Sequence, residues 1–315
     1  MSSKSWFAWA ALGVVYVVWG STYLAIRFTV ESMPALLSAG ARFLAAGLVL
    51  GVLVVIFAGV KALRMTKAQF GSAVLIGLLL PAMGNGLVVL AEKHVASGLA
   101  ALLVASVPIY VVILRRIWGD RPSRTTLIGV AVGLVGLAVL VLGGPVEGAH
   151  GAAWFGPWLV LLAALGWAVG TVLTTKLPLP ANPFALSAVE MVAGGVALAV
   201  SGAVMGERFD LAEITTGSWA AWIYLVLAGS LLAFSSYVYV LGRLSVSTVA
   251  TYAYVNPVIA VLLGFLFAGE RFGIAQLGGG LIVLVAVVLV VRAERPAPEV
   301  SVPAGSIPEP CEVKR

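Results

Sequence analysis

Charge is what this 315-residue chain has least of. Asp, Glu, Lys and Arg together make up 10% of it, against about a quarter of an ordinary soluble domain. It has one cysteine, Cys311 near the C-terminus, which excludes a disulfide or a thiolate metal cluster within one chain. It has two histidines, His94 and His150, both in or beside segments that link apolar runs. An intramembrane enzyme needs a cluster of histidine, acid or nucleophile at catalytic depth, and none is readable. No Gly-rich loop ending in Lys-Ser/Thr is present, so ATP hydrolysis on this chain is excluded. The sequence predicts no enzyme, no cofactor and no metal site. Its net charge of +6 does not call for nucleic acid, because polytopic chains gather lysine and arginine in their cytoplasmic loops.

What is present is apolar. Hydrophobic residues make up 61% of the chain and the mean hydropathy is +1.09, a membrane composition. At roughly 20 residues per bilayer-crossing helix, ten spans use about two-thirds of the chain and leave no room for a folded soluble domain. The runs fall at Trp6–Ile26, Ala35–Ala58, Gln69–Ala91, Ser97–Leu114, Thr125–Gly143, Trp154–Thr175, Pro183–Met205, Trp219–Leu241, Val246–Ala268 and Gly273–Val291. The first is too long, and too closely followed by others, for a cleaved signal peptide. Residues 292–315, rich in proline and without an apolar period, read as a disordered cytoplasmic tail. Lys and Arg set the orientation. Fourteen of the nineteen lie at the termini and on one set of loops, including Lys61, Arg64, Lys67, Arg115, Arg116, Arg121 and Arg124, while Arg27, Lys93, Arg208 and Arg271 lie on the other. Both termini are therefore expected in the cytoplasm.

The chain reads as built twice. Ala101–Arg121 (ALLVASVPIYVVILRRIWGDR) is echoed by Ala250–Arg271 (ATYAYVNPVIAVLLGFLFAGER), with Pro108 answered by Pro257 and Gly119-Asp120-Arg121 by Gly269-Glu270-Arg271. Trp19-Gly20-Ser21-Thr22 faces Trp167-Ala168-Val169-Gly170-Thr171, and Arg42 faces Glu190, at offsets of 148 to 150. Five spans per half is odd, so the second half must enter the membrane inverted. The loop charges agree: Lys61, Arg64 and Lys67 stand where the second half has Glu207, Arg208, Asp210 and Glu213. The expected fold is an all-α integral membrane protein of ten transmembrane helices in two inverted five-helix repeats, residues 6–143 and 154–291. Inverted repeats are a signature of secondary transporters, with the site near the midplane between halves.

The chain resembles the EamA-type members of the drug/metabolite transporter superfamily, among them the YedA-type inner-membrane exporters. The matching stretches are Trp19-Gly20-Ser21-Thr22-Tyr23, Arg42-Phe43, Gly84-Asn85-Gly86 with Glu92, Tyr252-Ala253-Tyr254-Val255-Asn256-Pro257 and the closing Gly-acid-Arg triplets. They cover essentially Ala8 to Val291. One departure is Asp120, where the family usually has glutamate. The resemblance implies ten helices, cytoplasmic ends, a central cavity between the halves, and export of amino acids, metabolites or drugs.

Candidate solute contacts follow from side-chain placement. Trp19, Thr22, Tyr23 and Ile26 share one helix face, as do Trp167, Gly170, Thr171 and Thr174. Such faces serve either as cavity wall or as helix packing. Thr248, Tyr252 and Asn256 align at spacings of four. Pro257 and Pro108 leave the carbonyls of Ala253 and Val104 without helical donors, and Pro81-Ala82-Met83-Gly84-Asn85-Gly86 reads as a local helix break. Asn85 lies deep; Glu92, beside Lys93 and His94, reads as a solvated rim charge. Arg42 and Glu190 lie inside spans, where an ionisable residue faces protein, water or a partner. Each sits roughly 10–12 Å into its helix at 1.5 Å per residue, which in a core of about 30 Å separates them by some 6–10 Å in depth. Arg42 suits a substrate carboxylate, and Glu190 a proton or a substrate amine; a structural charge is the competing reading of both. The glycines of spans 5 and 10 read as close-packing scaffold, with monomer and homodimer both open. The partners expected are a small-molecule solute, the lipid bilayer and, as coupling ion, protons. A channel is the alternative to a carrier.

Overall fold

In the computed structural model, residues 3–119, 121–143, 154–241, 243, 244, 249 and 252–293 are described. They are helical almost throughout: α1 Ser3–Val30, α2 Ala35–Ala58, α3 Lys67–Ala91, α4 Ser97–Ile117, α5 Arg124–Leu142, α6 Gly156–Leu173, α7 Pro183–Val204, α8 Thr216–Leu241, α9 Tyr252–Ala268 and α10 Ile274–Ala293. Seven contain runs long and apolar enough to cross a membrane; α5, α9 and α10 contribute shorter apolar helices. Asp120, His150, Thr248 and the tail beyond Ala293 lie outside the described residues. Bulky apolar side chains face outward along these helices, among them Phe57, Leu142, Val204, Phe267 and Ile274, each more than 60% exposed. Only a hydrocarbon solvent makes that surface favourable.

The helices start where the sequence offers a cap. Thr66 and Gln69 form a reciprocal capping box at α3, Asn182 accepts from the Phe184 and Ala185 N–H groups ahead of α7 with Pro183 in the first turn, and Ser123 and Thr215 cap α5 and α8. The α2 N-terminus follows Pro34, which has no capping side chain. Glu207, from the segment after α7, supplies the acceptors instead, taking the Leu36 and Leu37 N–H groups at 3.2 and 2.9 Å.

Packing partners repeat when each helix is exchanged with the one five further on. The most extensive pairs are α2–α7 and α5–α10; α1 packs on α8 and α9 as α6 packs on α3 and α4; α3 lies on α7 as α8 lies on α2. Small residues let the pairs close. A Cβ on Gly40 would sit 2.7 Å from the Ala199 nitrogen, and one on Gly195 2.8 Å from the Leu44 nitrogen, so α2 and α7 touch backbone to backbone. Between α5 and α10, Gly136 and Gly279 do the same against Val283 and Leu140. Among the described residues, four have positive φ, all glycines at matching places: Gly59 and Gly206 after α2 and α7, Gly119 and Gly269 after α4 and α9.

Irregularities repeat as well. In α3 the stretch Leu78–Asn85 is π-helical around Pro81, and in α8 Leu225–Leu232 is π-helical with no proline. The first was legible as a break; the second was not, because nothing in its sequence punctuates it. The prolines at equivalent places behave differently. Helix α4 is interrupted at Ala105–Ser106, just before Pro108, whereas α9 runs through Pro257 as one helix.

One expectation about charge is corrected. Arg27, read from the sequence as a loop charge, and Glu270, of the Gly269-Glu270-Arg271 triplet, are buried at 5% and 0% exposure. The Arg27 Nη1 donates to Glu270 Oε1 at 2.6 Å. The same carboxylate takes the Ser97 N–H at 2.7 Å, the Ser97 hydroxyl at 2.8 Å and the Gly98 N–H at 3.1 Å. Glu270 thus caps α4 and ties it to α1 and α9, with enough donors to offset the desolvation of its charge.

Candidate functional site

The bundle encloses a cavity with about 850 Å³ of empty space, its open mouth included, within the range of small-molecule sites. Its wall comes from α1 (Trp19, Thr22, Tyr23, Ile26), α2 (Arg42, Phe43), the π-helical part of α3 (Gly84, Asn85), α6 (Trp167), α8 (Gly229, Phe234) and α9 (Tyr252, Asn256, Pro257), closed by small aliphatic residues of α4 and α6.

Aromatic rings make one end of the wall. Trp19 stands edge-on to Trp167 and Tyr252, with centroids 6.1 and 5.3 Å away, and packs on Tyr237 at 5.0 Å. Its indole N–H donates to the Gly229 carbonyl at 3.2 Å, which fixes the ring against the π-helical turn of α8. The glycines beside these rings have steric reasons. A Cβ on Gly84 would lie 2.8 Å from the Trp167 ring, and one on Gly20 2.8 Å from the Ile259 side chain. The first seats the indole against α3; the second lets α1 close on α9.

The polar groups are few and mostly spoken for. Thr22 donates to the Trp19 carbonyl within its own helix at 2.7 Å. Asn256, with its amide turned to satisfy both contacts, donates to the Tyr16 and Tyr252 carbonyls at 3.1 and 3.3 Å, pinning α9 to α1. Asn85 reaches the Leu80 carbonyl at 3.5 Å, the long limit of a hydrogen bond. Arg42 differs. Its Nε donates to the Ser230 hydroxyl at 2.9 Å and its guanidinium lies 4.8 Å from the Phe43 ring centroid. A Cβ on Gly229 would come within 3.2 Å of Nη2, so the bare backbone of the α8 π-turn makes room for it. The Nη1 group is buried with no hydrogen-bond partner. Among the described residues, Arg42 is the one charged side chain lining the cavity, and none of those lining it is an acid.

Of the ten contacts expected from the sequence, Trp19, Thr22, Tyr23, Arg42, Asn85, Trp167, Tyr252 and Asn256 line this one space. Thr171 does not; its hydroxyl donates to the Trp167 carbonyl at 2.8 Å. Glu190 is buried but stands off the wall, its backbone pressed against Gly77 of α3, and it makes no ion pair with Arg42. Pro257 lines the cavity, Pro81 is packed on Gly194 of α7 behind it, and Pro108 follows the interruption of α4.

Glu92 requires a correction. Read as a solvated rim charge, it is 2% exposed, and neither carboxyl oxygen has a hydrogen-bond partner. Sequence reasoning placed it at a helix end, as the structure does, but could not show that α1 and the Ser97 turn cover that end. The contribution of α8 was also missed. Gly229 and Ser230, which hold Arg42, carry no signal beyond smallness, whereas Phe234 and Tyr237, three apart in an apolar helix, were a readable aromatic face.

Comparison with known proteins agrees with this architecture. The sequence model of the EamA-like transporter family matches residues 4–142 and again residues 154–292. The chain is 40% identical over 286 residues to the uncharacterized inner membrane transporter YedA of Escherichia coli (strain K12), covering 89% of each. It is 28% identical over 284 residues to a probable terminal-alkyne amino-acid exporter of Streptantibioticus cattleyicolor, covering 90% of this chain and 92% of that one. A solved crystal structure superposes with a TM-score of 0.64 at 19% identity, over 91% of this chain and 99% of the other, a likeness of fold.

Proposed function

This chain belongs to the EamA-like transporter family, and we propose that it is a secondary carrier that exports small organic solutes bearing a carboxylate across the inner membrane. The observation that carries the reading is Arg42: a buried guanidinium with a bare Nη1 on the wall of an otherwise aromatic and aliphatic cavity. An uncompensated buried donor costs free energy, and a carboxylate is the group that best answers a guanidinium. The rings of Trp19, Trp167 and Tyr252 take the solute's apolar body, and Asn85 offers an amide beside it. No acid stands among the described lining residues, which gives a cationic solute no counter-charge there.

Alternating access follows from the same architecture. The two halves, residues 6–143 and 154–291, act as inverted repeats that rock about the cavity, with both termini in the cytoplasm as the loop arginines indicate. The exchange symmetry of the packing and the paired π-helical turns support this reading. The exporter similarity favours outward movement of amino acids or related metabolites.

A proteoliposome uptake screen tests it. Aromatic and aliphatic carboxylates and amino acids should show saturable uptake, and lipophilic cations should not. Saturable transport confined to cations would overturn the carboxylate reading.

A further inference from the structure

Two acids are buried close together where α3, α1 and α9 meet, and their surroundings are opposite. Glu270 receives four hydrogen bonds, one from the Arg27 guanidinium. Glu92 receives none at either oxygen. The Arg27 charge is matched by Glu270, so Glu92 is the acid left over. Around it, α1 brings Arg27 and Tyr23, α2 brings Arg42 and the turn after α9 brings Glu270, each within electrostatic reach; Lys93 and His94 follow it in the chain, while α6 and the π-helical part of α3 carry no titratable group. A bare carboxylate buried without a donor is far more costly than a neutral carboxyl in the same place. The repeat does not explain its presence, since the position 150 residues on is Gly242.

We propose that Glu92 is a proton-binding site, protonated in this structure, and that its proton is linked to the anion bound at Arg42. The coupling rests on the carboxylate reading above. The Glu92 N–H donates to the Val88 carbonyl at 2.9 Å, and Val88 lines the cavity together with Arg42 and Tyr23. Glu92 thus stands one helical turn from the wall that carries the Arg42 charge, and the two charges act on each other. With the cavity empty, the unmatched Arg42 charge favours release of the Glu92 proton. With a carboxylate on Arg42 that field is neutralised and the proton is retained. Linkage is reciprocal, so a protonated Glu92 leaves Arg42 freer to hold the solute. Above the Glu92 titration each bound carboxylate then carries up to one proton with it, and the pair crosses without net charge. The balance is simple: in that range the proton is taken from water by a Glu92 carboxylate oxygen as the solute binds and returned to water when the solute leaves; below it Glu92 stays protonated throughout.

Infrared difference spectroscopy on the full chain in nanodiscs tests the site without any solute. Glu190 is another buried carboxyl, so the test is a difference between variants. The wild type should show protonated-carboxyl absorption at neutral pH, a component of which titrates away at high pH, is lost in Glu92→Gln and is retained in Glu190→Gln. No such absorption in the wild type, or a Glu92→Gln spectrum unchanged from it, overturns the proposal. Phenylpropionate, a carboxylate with an aromatic body, then tests the coupling. Above the Glu92 titration its wild-type affinity should weaken by up to about tenfold per pH unit, the limit for one linked proton, and its binding should draw protons from a weakly buffered medium. Glu92→Gln should flatten both responses while still binding. A flat wild-type profile with no proton uptake overturns the coupling. Phenylpropionate failing to bind, or binding equally to Arg42→Gln, would sink the carboxylate reading instead, and the infrared band would still decide whether Glu92 holds the proton.

Discussion

Two arginines are buried among the described residues, and they are held in different ways. Arg27 at the end of α1 is 5% exposed and Arg42 within α2 is 4% exposed. The first is locked to a carboxylate at 2.6 Å, and that carboxylate also caps α4. The second has one hydrogen bond to a serine, an aromatic face beside it and a bare nitrogen. Burial alone therefore does not mark a functional charge. A charge whose partner is built into the protein is a clamp; a charge left incomplete on a cavity wall is, in the function proposed, a receptor for something the protein does not contain.

The sharpest break of this comparison is Arg27→Met. It strands the Glu270 carboxylate and should cost about 3–5 kcal/mol, read as a large loss of folded protein by thermal unfolding in detergent; unchanged stability would show that the clamp is not structural. Arg42→Gln should do the reverse, leaving thermal stability within about 1 kcal/mol while uptake of carboxylates falls roughly 10–100-fold, the worth of a charged hydrogen bond of about 1.5–3 kcal/mol. Gly84→Ala acts between these two extremes. Its methyl would meet the Trp167 ring at 2.8 Å, so it should cost about 1–3 kcal/mol and also raise the KM, the joint effect expected when a cavity wall is part of the scaffold. Thr171→Ala should be the mildest, within about 0.5 kcal/mol and without effect on KM, because its hydroxyl serves only its own helix; a solute-specific KM change would put Thr171 back on the wall.

Much of this was legible because apolar runs, caps and prolines are local signals. The ten helices needed only hydropathy, and the placing of Trp19, Tyr23, Trp167, Tyr252 and Asn256 on one wall needed only helical spacing and the repeat. What was not legible was which charges the tertiary packing covers. Arg27, Glu92 and Glu270 each sit at a helix end, where sequence alone predicts solvent; their burial depends on α1, α4 and α9 converging over that end, a non-local fact. The same limit hid the α8 π-turn. Pro81 announces the irregularity of α3, while Ala228-Gly229-Ser230 announces nothing, and its importance emerges only once Arg42 is seen leaning on it. The asymmetry of the wall was readable in part: α4 lines the cavity with Ala101, Val104, Ala105 and Val107, whereas α9 brings Tyr252 and Asn256.

The most direct test of the central claim is counterflow in proteoliposomes preloaded with unlabelled phenylpropionate and given trace labelled solute outside. A carrier should give a transient overshoot of label in the wild type, saturating with solute concentration, and lose it in Arg42→Gln protein whose thermal stability is normal. Flux that rises without saturation and shows no overshoot, or an overshoot unchanged in Arg42→Gln, would contradict a carrier anchored on Arg42.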